Sequence, residues 1–218
     1  MIDFARARRT MVDTQVRTND VTDTRILDAL LDVPREIFVP EQLKPIAYLD
    51  QDIPVGPARA GRHIMQPMVF AKLLQAAAIE RSDRVLDVGC ATGYSSAVIS
   101  LVAERVVALE SEEELLATCR KMLEGARNIE LAKGDLVAGH PAGGPYDVIL
   151  LEGAVEVVPE ALFEQLAERG RLVAIRGYGR TGRATVHLRV GGDVSGRVAF
   201  DTAVRPLKGF EKPPAFAF

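Results

Sequence analysis

Residues 85–100 read VLDVGCATGYSSAVIS: an apolar run closed by Asp87, a turn built on Gly89, Ala91 and Gly93, then a helical pattern. Strand, small-residue turn and helix in that order form a cradle for a nucleotide-like ligand, because small residues let backbone N–H groups approach it closely. Glu110 lies twenty-one positions after Gly89 and closes a second apolar run, RVVALE. An acid at that offset accepts hydrogen bonds from both ribose hydroxyls. Taken alone the turn is equally a tight strand-to-helix connection; the acid at the expected distance favours nucleoside binding.

The elements needed to place these residues are legible in the pattern. Residues 4–18 and 23–32 read as amphipathic helices, the second with Ile26, Leu27, Leu30 and Leu31 on one face and ending before Pro34. Prolines at 34, 40, 45, 54, 57 and 67 predict mostly loop with a short helical turn from Val33 to Pro67, and Pro67 suits the first turn of a helix through about Ile79. Strands are expected at 84–88, 105–109, 128–132, 146–151 and 171–176, with helices at 94–103, 112–124 and 159–167. Continuous apolar strands separated by helices imply an α/β fold, a doubly wound parallel sheet covered on both faces. TVHLRV and RVAF around a Gly-Gly predict a closing antiparallel hairpin, giving seven strands, and KGFEKPPAF reads as a poorly ordered strap. No repeat or linker divides the chain, so one domain is expected: N-terminal helices and a loop at 1–66 forming a lid, an α/β core at 67–206 and a tail at 207–218.

Composition narrows the function. The 218 residues carry 27 basic and 30 acidic side chains, a formal charge of −3, and 48% hydrophobic content. Mixed charge offers no field for a polyanion, so nucleic acid is not an expected partner. No run of about 18 apolar residues and no signal-peptide core occur, so no membrane association is expected. Cys90 and Cys119 lack metal-ligand spacing, and a disulfide at Cys90 would obstruct the turn, which points to a reducing cytoplasm. Cys90 reads as a small filler of the turn, His140 and His187 as surface groups, and Arg6, Arg8 and Arg9 as a solvated helix face.

Several blocks in order carry a resemblance: RRTMVDTQVR (8–17), VPREIFVP (33–40), AYLDQDIPVG (47–56), IMQP (64–67), VLDVGCATGY (85–94), GDL (134–136), PYDVILLEGAVEVVP (145–159) and RGRLVAIRG (169–177). On these the chain resembles the protein-L-isoaspartate O-methyltransferase family, of the Rossmann-like class I S-adenosylmethionine-dependent methyltransferase fold. The resemblance implies that S-adenosyl-L-methionine is the cofactor, leaving S-adenosyl-L-homocysteine, and that isoaspartyl-containing peptides or proteins are substrates of a repair enzyme, a monomer or weak homodimer. It implies that Gly89, Ala91 and Gly93, with Cys90 and Tyr94, lie against the methionine and ribose, and that Asp87 lies near the amino group. Glu110 with Ser111 would hold the ribose, and Asp135 with Leu136 would flank the adenine. Ile64, Met65 and Gln66 would border the methyl and the incoming carboxylate. Strand-end and turn capping is the plainer reading of Asp87 and Asp135.

The chain departs from the family where the acceptor binds. The family's Gly-Gln-Thr-Ile-Ser-Gln-Pro is here Gly61-Arg62-His63-Ile64-Met65-Gln66-Pro67, so Met65 replaces the serine expected at the substrate carboxylate. Four residues separate Gly56 from Gly61, and Glu152 follows the fourth strand, where a small or hydroxyl residue is usual. A carboxylate acceptor is ionised at neutral pH, since such groups titrate near about 4, and displacement at a sulfonium needs alignment and dehydration but neither metal nor base. Losing the serine removes one hydrogen bond, about 1 kcal/mol. Arg62 or His63 could substitute, and Met65 could simply seal the site. Glu152 would repel an anionic acceptor unless Arg62, His63 or Arg176 neutralises it; otherwise Glu152 is a base or a cation-binding group and the acceptor is a small or neutral nucleophile such as an amine or hydroxyl, and the resemblance also places Glu152 among the cofactor contacts. A member that binds the cofactor without turnover is a further alternative.

Overall fold

The computed structural model describes residues 2–212. Helix α1 (Phe4–Met11) is capped by Asp3, whose Oδ1 accepts from Arg6 N at 3.0 Å. The helix expected to run to residue 18 changes pitch after Met11 into a π turn (Val12–Val16) and a 3₁₀ turn (Arg17–Asn19). The reason is local: Thr10, Thr14 and Thr18 each donate a hydroxyl to the carbonyl four residues back, and Asn19 Nδ2 does the same to Gln15, competing with the regular ladder. Asp23 caps α2 (Thr24–Asp32), which buries Ile26, Leu27, Ala29 and Leu30.

The proline-bearing segment is more ordered than its composition suggests. Between short 3₁₀ turns it forms an antiparallel pair, β1 (Ile53–Val55) and β2 (Arg62–Ile64), with Val55 opposite Arg62 and Ile53 opposite Ile64. Pro54 sits in a two-stranded ribbon, where a missing N–H is tolerated. Helix α3 (Pro67–Ala77) then starts on Pro67, as predicted.

From here strands and helices alternate: β3 (Arg84–Val88), α4 (Tyr94–Ser100), β4 (Arg105–Glu110), α5 (Glu113–Met122), β5 (Ile129–Lys133), β6 (Tyr146–Val155), α6 (Glu160–Glu164), β7 (Leu166–Arg176), β8 (Arg183–Val190) and β9 (Asp193–Asp201). The seven strands lie in the order β5-β4-β3-β6-β7-β8-β9, parallel through β7 and antiparallel thereafter. Gly191 and Gly192, both at positive φ, make the tight hairpin turn. Boundaries move in two places. β7 begins five residues before the expected strand, so the predicted helix 159–167 shrinks to α6, and β6 runs on to Val155 because the chain's end pairs with it.

Alternating strand residues feed two apolar clusters. Val85, Val106, Val148, Leu150 and Val173 pack with the N-terminal helices, α3 and α4. Leu86, Val88, Leu109, Ile149 and Leu151 pack on the opposite face with Leu162, Leu207 and Phe210. The segment read as a poorly ordered strap is therefore partly core: Leu207 and Phe210 are buried, Leu207 N donates to Ala154 O at 2.8 Å, and Phe210 O accepts from Glu156 N at 3.1 Å. Residues 213–216 of that strap lie outside the described residues. Order along the sheet reverses between β3 and β6, and that is where an open α/β sheet leaves a crevice at its carboxyl edge.

Candidate functional site

The turn after β3 is held by its neighbours. Gly89 N and Cys90 N both donate to Leu109 O, at 2.9 and 3.2 Å, binding the turn to the end of β4. Gly89, Ala91 and Gly93 all adopt positive φ (83°, 53° and 96°). Glycine takes that conformation freely, and Ala91 takes it at some cost. At Gly93 a Cβ would stand 2.8 Å from Cys119 Sγ, so only glycine lets α5 pack there.

Asp87 is fully buried, and its Oδ2 accepts from Ser95 Oγ at 2.6 Å and Ser96 Oγ at 2.5 Å, in the first turn of α4. The capping reading therefore accounts for one oxygen; Oδ1 is buried with no partner. Burial pushes the carboxyl up to about 6, against the pull of both serines. Asp135 is exposed and its Oδ1 accepts from Val137 N at 3.1 Å, which is turn capping, whereas Leu136 is buried in the core.

Glu110, also fully buried, ends β4 facing the turn. Its carboxylate accepts from Ala91 N at 3.1 Å, Ser111 N at 2.7 Å, Glu112 N at 3.1 Å and Arg62 Nε at 3.1 and 3.2 Å. Arg62, only 5% exposed, also donates from Nη1 to Ala60 O at 3.1 Å and from Nη2 to Ser111 Oγ at 2.9 Å. It is thus committed to Glu110 and does not face an acceptor.

His63 and Ile64 on β2, and Met65 just after it, line a cavity of about 10 Å³ together with Gly89, Cys90, Ala91, Tyr94, Ser95 and Glu152. That volume suits at most one water-sized group. Glu152 is partly exposed, with Oε1 enclosed and unpartnered. Burial and the neighbouring Asp87 push its carboxyl well above the usual range. Burial lowers His63, whose Nδ1 lies 3.2 Å from Gly61 O. Arg176 is exposed and lines a separate groove with Glu156 and His187, so it does not neutralise Glu152. Gln66 is a strut: its backbone N–H donates to Asp52 Oδ1 at 2.9 Å and its side chain to Ala203 O at 2.8 Å.

These blocks match a family model described as protein-L-isoaspartate(D-aspartate) O-methyltransferase over residues 6–198. A protein-L-isoaspartate O-methyltransferase of Koribacter versatilis is 42% identical over 172 residues, 78% of this chain and 76% of that one. The chain belongs to the protein-L-isoaspartate O-methyltransferase family. A solved structure of that description superposes with a TM-score of 0.81 at 26% identity, covering 94% of this chain and 67% of the other. A Plasmodium falciparum protein so described, solved with S-adenosyl-L-homocysteine, shares the fold at 18% identity, with a TM-score of 0.76 over 92% of this chain and 98% of its own.

As a donor set the residues suit the family's S-adenosylmethionine: an acid at the end of β4, a small-residue turn, and an unpartnered buried oxygen on Asp87 that a cofactor ammonium would satisfy. Space is the obstacle. A Cβ at Gly89 would stand 2.8 Å from Leu207 Cδ1, so the strap covers the turn, while Arg62 covers Glu110.

Two features escaped the sequence reading. Arg35, wholly buried, donates to Ala47 O at 2.7 Å and Met65 O at 2.8 Å and lies 4.8 Å from the Tyr94 ring centroid, so it anchors the strand carrying Met65. An arginine between prolines carries no signal of such burial. Cys90 and Cys119 meet behind the turn as free thiols, and the Cys119 thiol together with burial pushes Cys90 well above the usual thiol range. Two expectations are corrected. His187 is buried at 8% exposure against Phe163, and burial lowers it; Arg8 is bound to Tyr48 OH at 3.1 Å and Leu31 O at 2.9 Å, leaving only Arg6 and Arg9 solvated.

Proposed function

We propose that this chain methylates the free carboxylate of L-isoaspartyl residues in damaged proteins, using S-adenosyl-L-methionine. The observation that carries the reading is the buried acid Glu110 facing the glycine turn across β3 and β4, within a chain matched to the family from end to end of its core. The cofactor, when bound, supplies a methyl group already activated on a sulfonium. Glu110 and Ser111 would hold its ribose, Asp87 Oδ1 its amino group, and Gly89 to Gly93 would lie along it, with Leu136 on the adenine side. The acceptor arrives ionised, so these residues need to align it and exclude water.

Ile64 and Met65 provide the water-excluding wall, held in place by Arg35. Glu152, with its carboxyl shifted toward the neutral form, presents less repulsion to an anionic acceptor than an ionised acid would. The chain acts as one domain in the cytoplasm, a monomer or weak homodimer, on peptides and not nucleic acid or membranes. Among the described residues no helix is long and apolar enough to cross a membrane.

Methyl incorporation into an isoaspartyl peptide, compared with its aspartyl isomer, tests this: selective labelling of the isoaspartyl peptide is expected, and equal background counts sink it. Met65, buried in the serine's place beside Glu152, favours a second reading in which the acceptor is a small or neutral nucleophile. Labelling of such an acceptor, and not of the peptide, would establish it.

A further inference from the structure

We infer that Arg62 is a latch on the cofactor site: its guanidinium occupies the seat at Glu110 that a ribose needs, so cofactor binding requires Arg62 to leave. The inference rests on the cofactor reading above. A carboxylate offers about four lone-pair positions. Glu110 meets five donor groups, namely the N–H groups of Ala91, Ser111 and Glu112, the Ser111 hydroxyl at 3.3 Å and the Arg62 guanidinium, so its lone-pair positions are filled. The first three belong to the turn and the start of α5 and cannot leave without unmaking both. The Ser111 hydroxyl is a side-chain donor at 3.3 Å on one oxygen, whereas Arg62 spans both oxygens from another strand, and it is the group whose departure frees room for a ribose diol.

The hairpin that carries Arg62 is built to move more easily than the sheet. β1 and β2 pair through three residues each, and the connecting loop is bounded by Gly56 and Gly61, both at positive φ. Outside the latch the loop's polar ties lie at the surface, Arg59 to Glu114 at 2.7 Å and Glu112 at 3.5 Å and Lys208 Nζ to Arg59 O at 3.0 Å, while Ile53, Val55, Ala60 and Ile64 are buried and keep the strands on the core. Exposed pairs of this kind hold weakly. The buried Arg62–Glu110 pair is the strong tie, because separating it without a replacement leaves two unpaired buried charges. A ribose provides the replacement for Glu110, and the guanidinium regains water as the side chain swings out beside the loop at 56–61, the buried residues of the strands staying in place. Since His63 and Ile64 lie on the same strand and Met65 follows it directly, opening the latch also reshapes the wall that faces the acceptor.

A latch closed in most molecules lowers apparent affinity by the fraction that is open. Calorimetry with S-adenosyl-L-homocysteine on the wild type, Arg62→Ala and Arg62→Gln tests this. Both variants are expected to bind about tenfold tighter or better, and their hairpin amides at 53–64 to exchange faster in the unliganded protein. Unchanged or weaker binding overturns the latch, weaker binding making Arg62 a ligand contact. A measurement on the wild type stands independent of variant folding. The Arg62 Nε–H resonance is expected to be exchange-protected in the free protein and to lose protection when S-adenosyl-L-homocysteine is added; protection persisting in the complex overturns the latch. If neither the wild type nor a folded variant takes up the ligand, the cofactor reading fails and takes the latch with it. If all bind equally, the latch alone fails.

Discussion

The two walls of the site are built on opposite principles. The turn wall, residues 87–112, sits on the central strands of a parallel sheet, and its polar groups bind largely one another: Asp87 with Ser95 and Ser96, and Ala91 N with Glu110 on the adjacent strand. The hairpin wall, residues 53–66, has a short ribbon, two flanking glycines, and partners outside itself: Asp52 just before it and, from distant parts of the chain, Arg35 and Ala203. The turn wall departs from the family's pattern at Ala91, a small residue in place of a glycine, and the hairpin wall carries the bulkier departures Arg62, His63 and Met65. Rigid walls tolerate little substitution because strain has nowhere to go. A hinged wall accepts new side chains and can acquire new contacts, as Arg62 has done.

Breaking the contact between the walls should produce the largest effect. Glu110→Ala leaves the Arg62 guanidinium buried and unpaired, and a loss of about 3–5 kcal/mol in unfolding free energy is expected by denaturant titration; a loss below about 1 kcal/mol would mean the guanidinium escapes to water freely.

The next effect belongs to the turn wall alone. Asp87 titrates near 6 when folded, above its ordinary 3.8, so the folded state holds the proton more tightly. Its contribution is a cost that is absent below about pH 4, grows as pH rises, and is complete above about pH 6. In Asp87→Asn that slope disappears, and the stability of the variant relative to wild type should rise by about 2–3 kcal/mol between pH 4 and pH 7. A flat difference across that range would show that Asp87 is ionised in the fold at little cost.

On the hairpin wall, Met65→Ser restores the family's hydroxyl. kcat/KM for an isoaspartyl peptide should rise about fivefold, the worth of one neutral hydrogen bond, and a decrease would make the apolar seal the more important property. Arg59→Ala, at the exposed tip, should leave the melting temperature unchanged and only quicken amide exchange in the hairpin; a clear drop in melting temperature would make the tip a structural tie equal to Arg62.

Much of the turn wall was legible because its signals are local. Asp87, the small residues at 89, 91 and 93, and Glu110 are placed by the two-residue strand period and the 3.6-residue helix period, and those fixed the alternation of β3 to β7. Misplaced boundaries arose where distant chain intervened: β6 lengthened because the segment around Leu207 pairs with it, and β7 started early at the expense of α6. The β1–β2 ribbon was read as loop because six prolines mask a pairing that needs only three residues per strand.

What the residues by themselves determined is therefore the family, the sheet and the pair of acids at its carboxyl edge, since each depends on neighbours a few positions apart. What only the tertiary structure decided is which side chain answers each acid. Glu110 meets Arg62 across 48 positions, Gly89 meets Leu207 across more than a hundred, and Arg176 turns away from Glu152. Charge and shape complementarity act through space at a few ångströms, and sequence spacing carries no trace of that distance until the chain has folded.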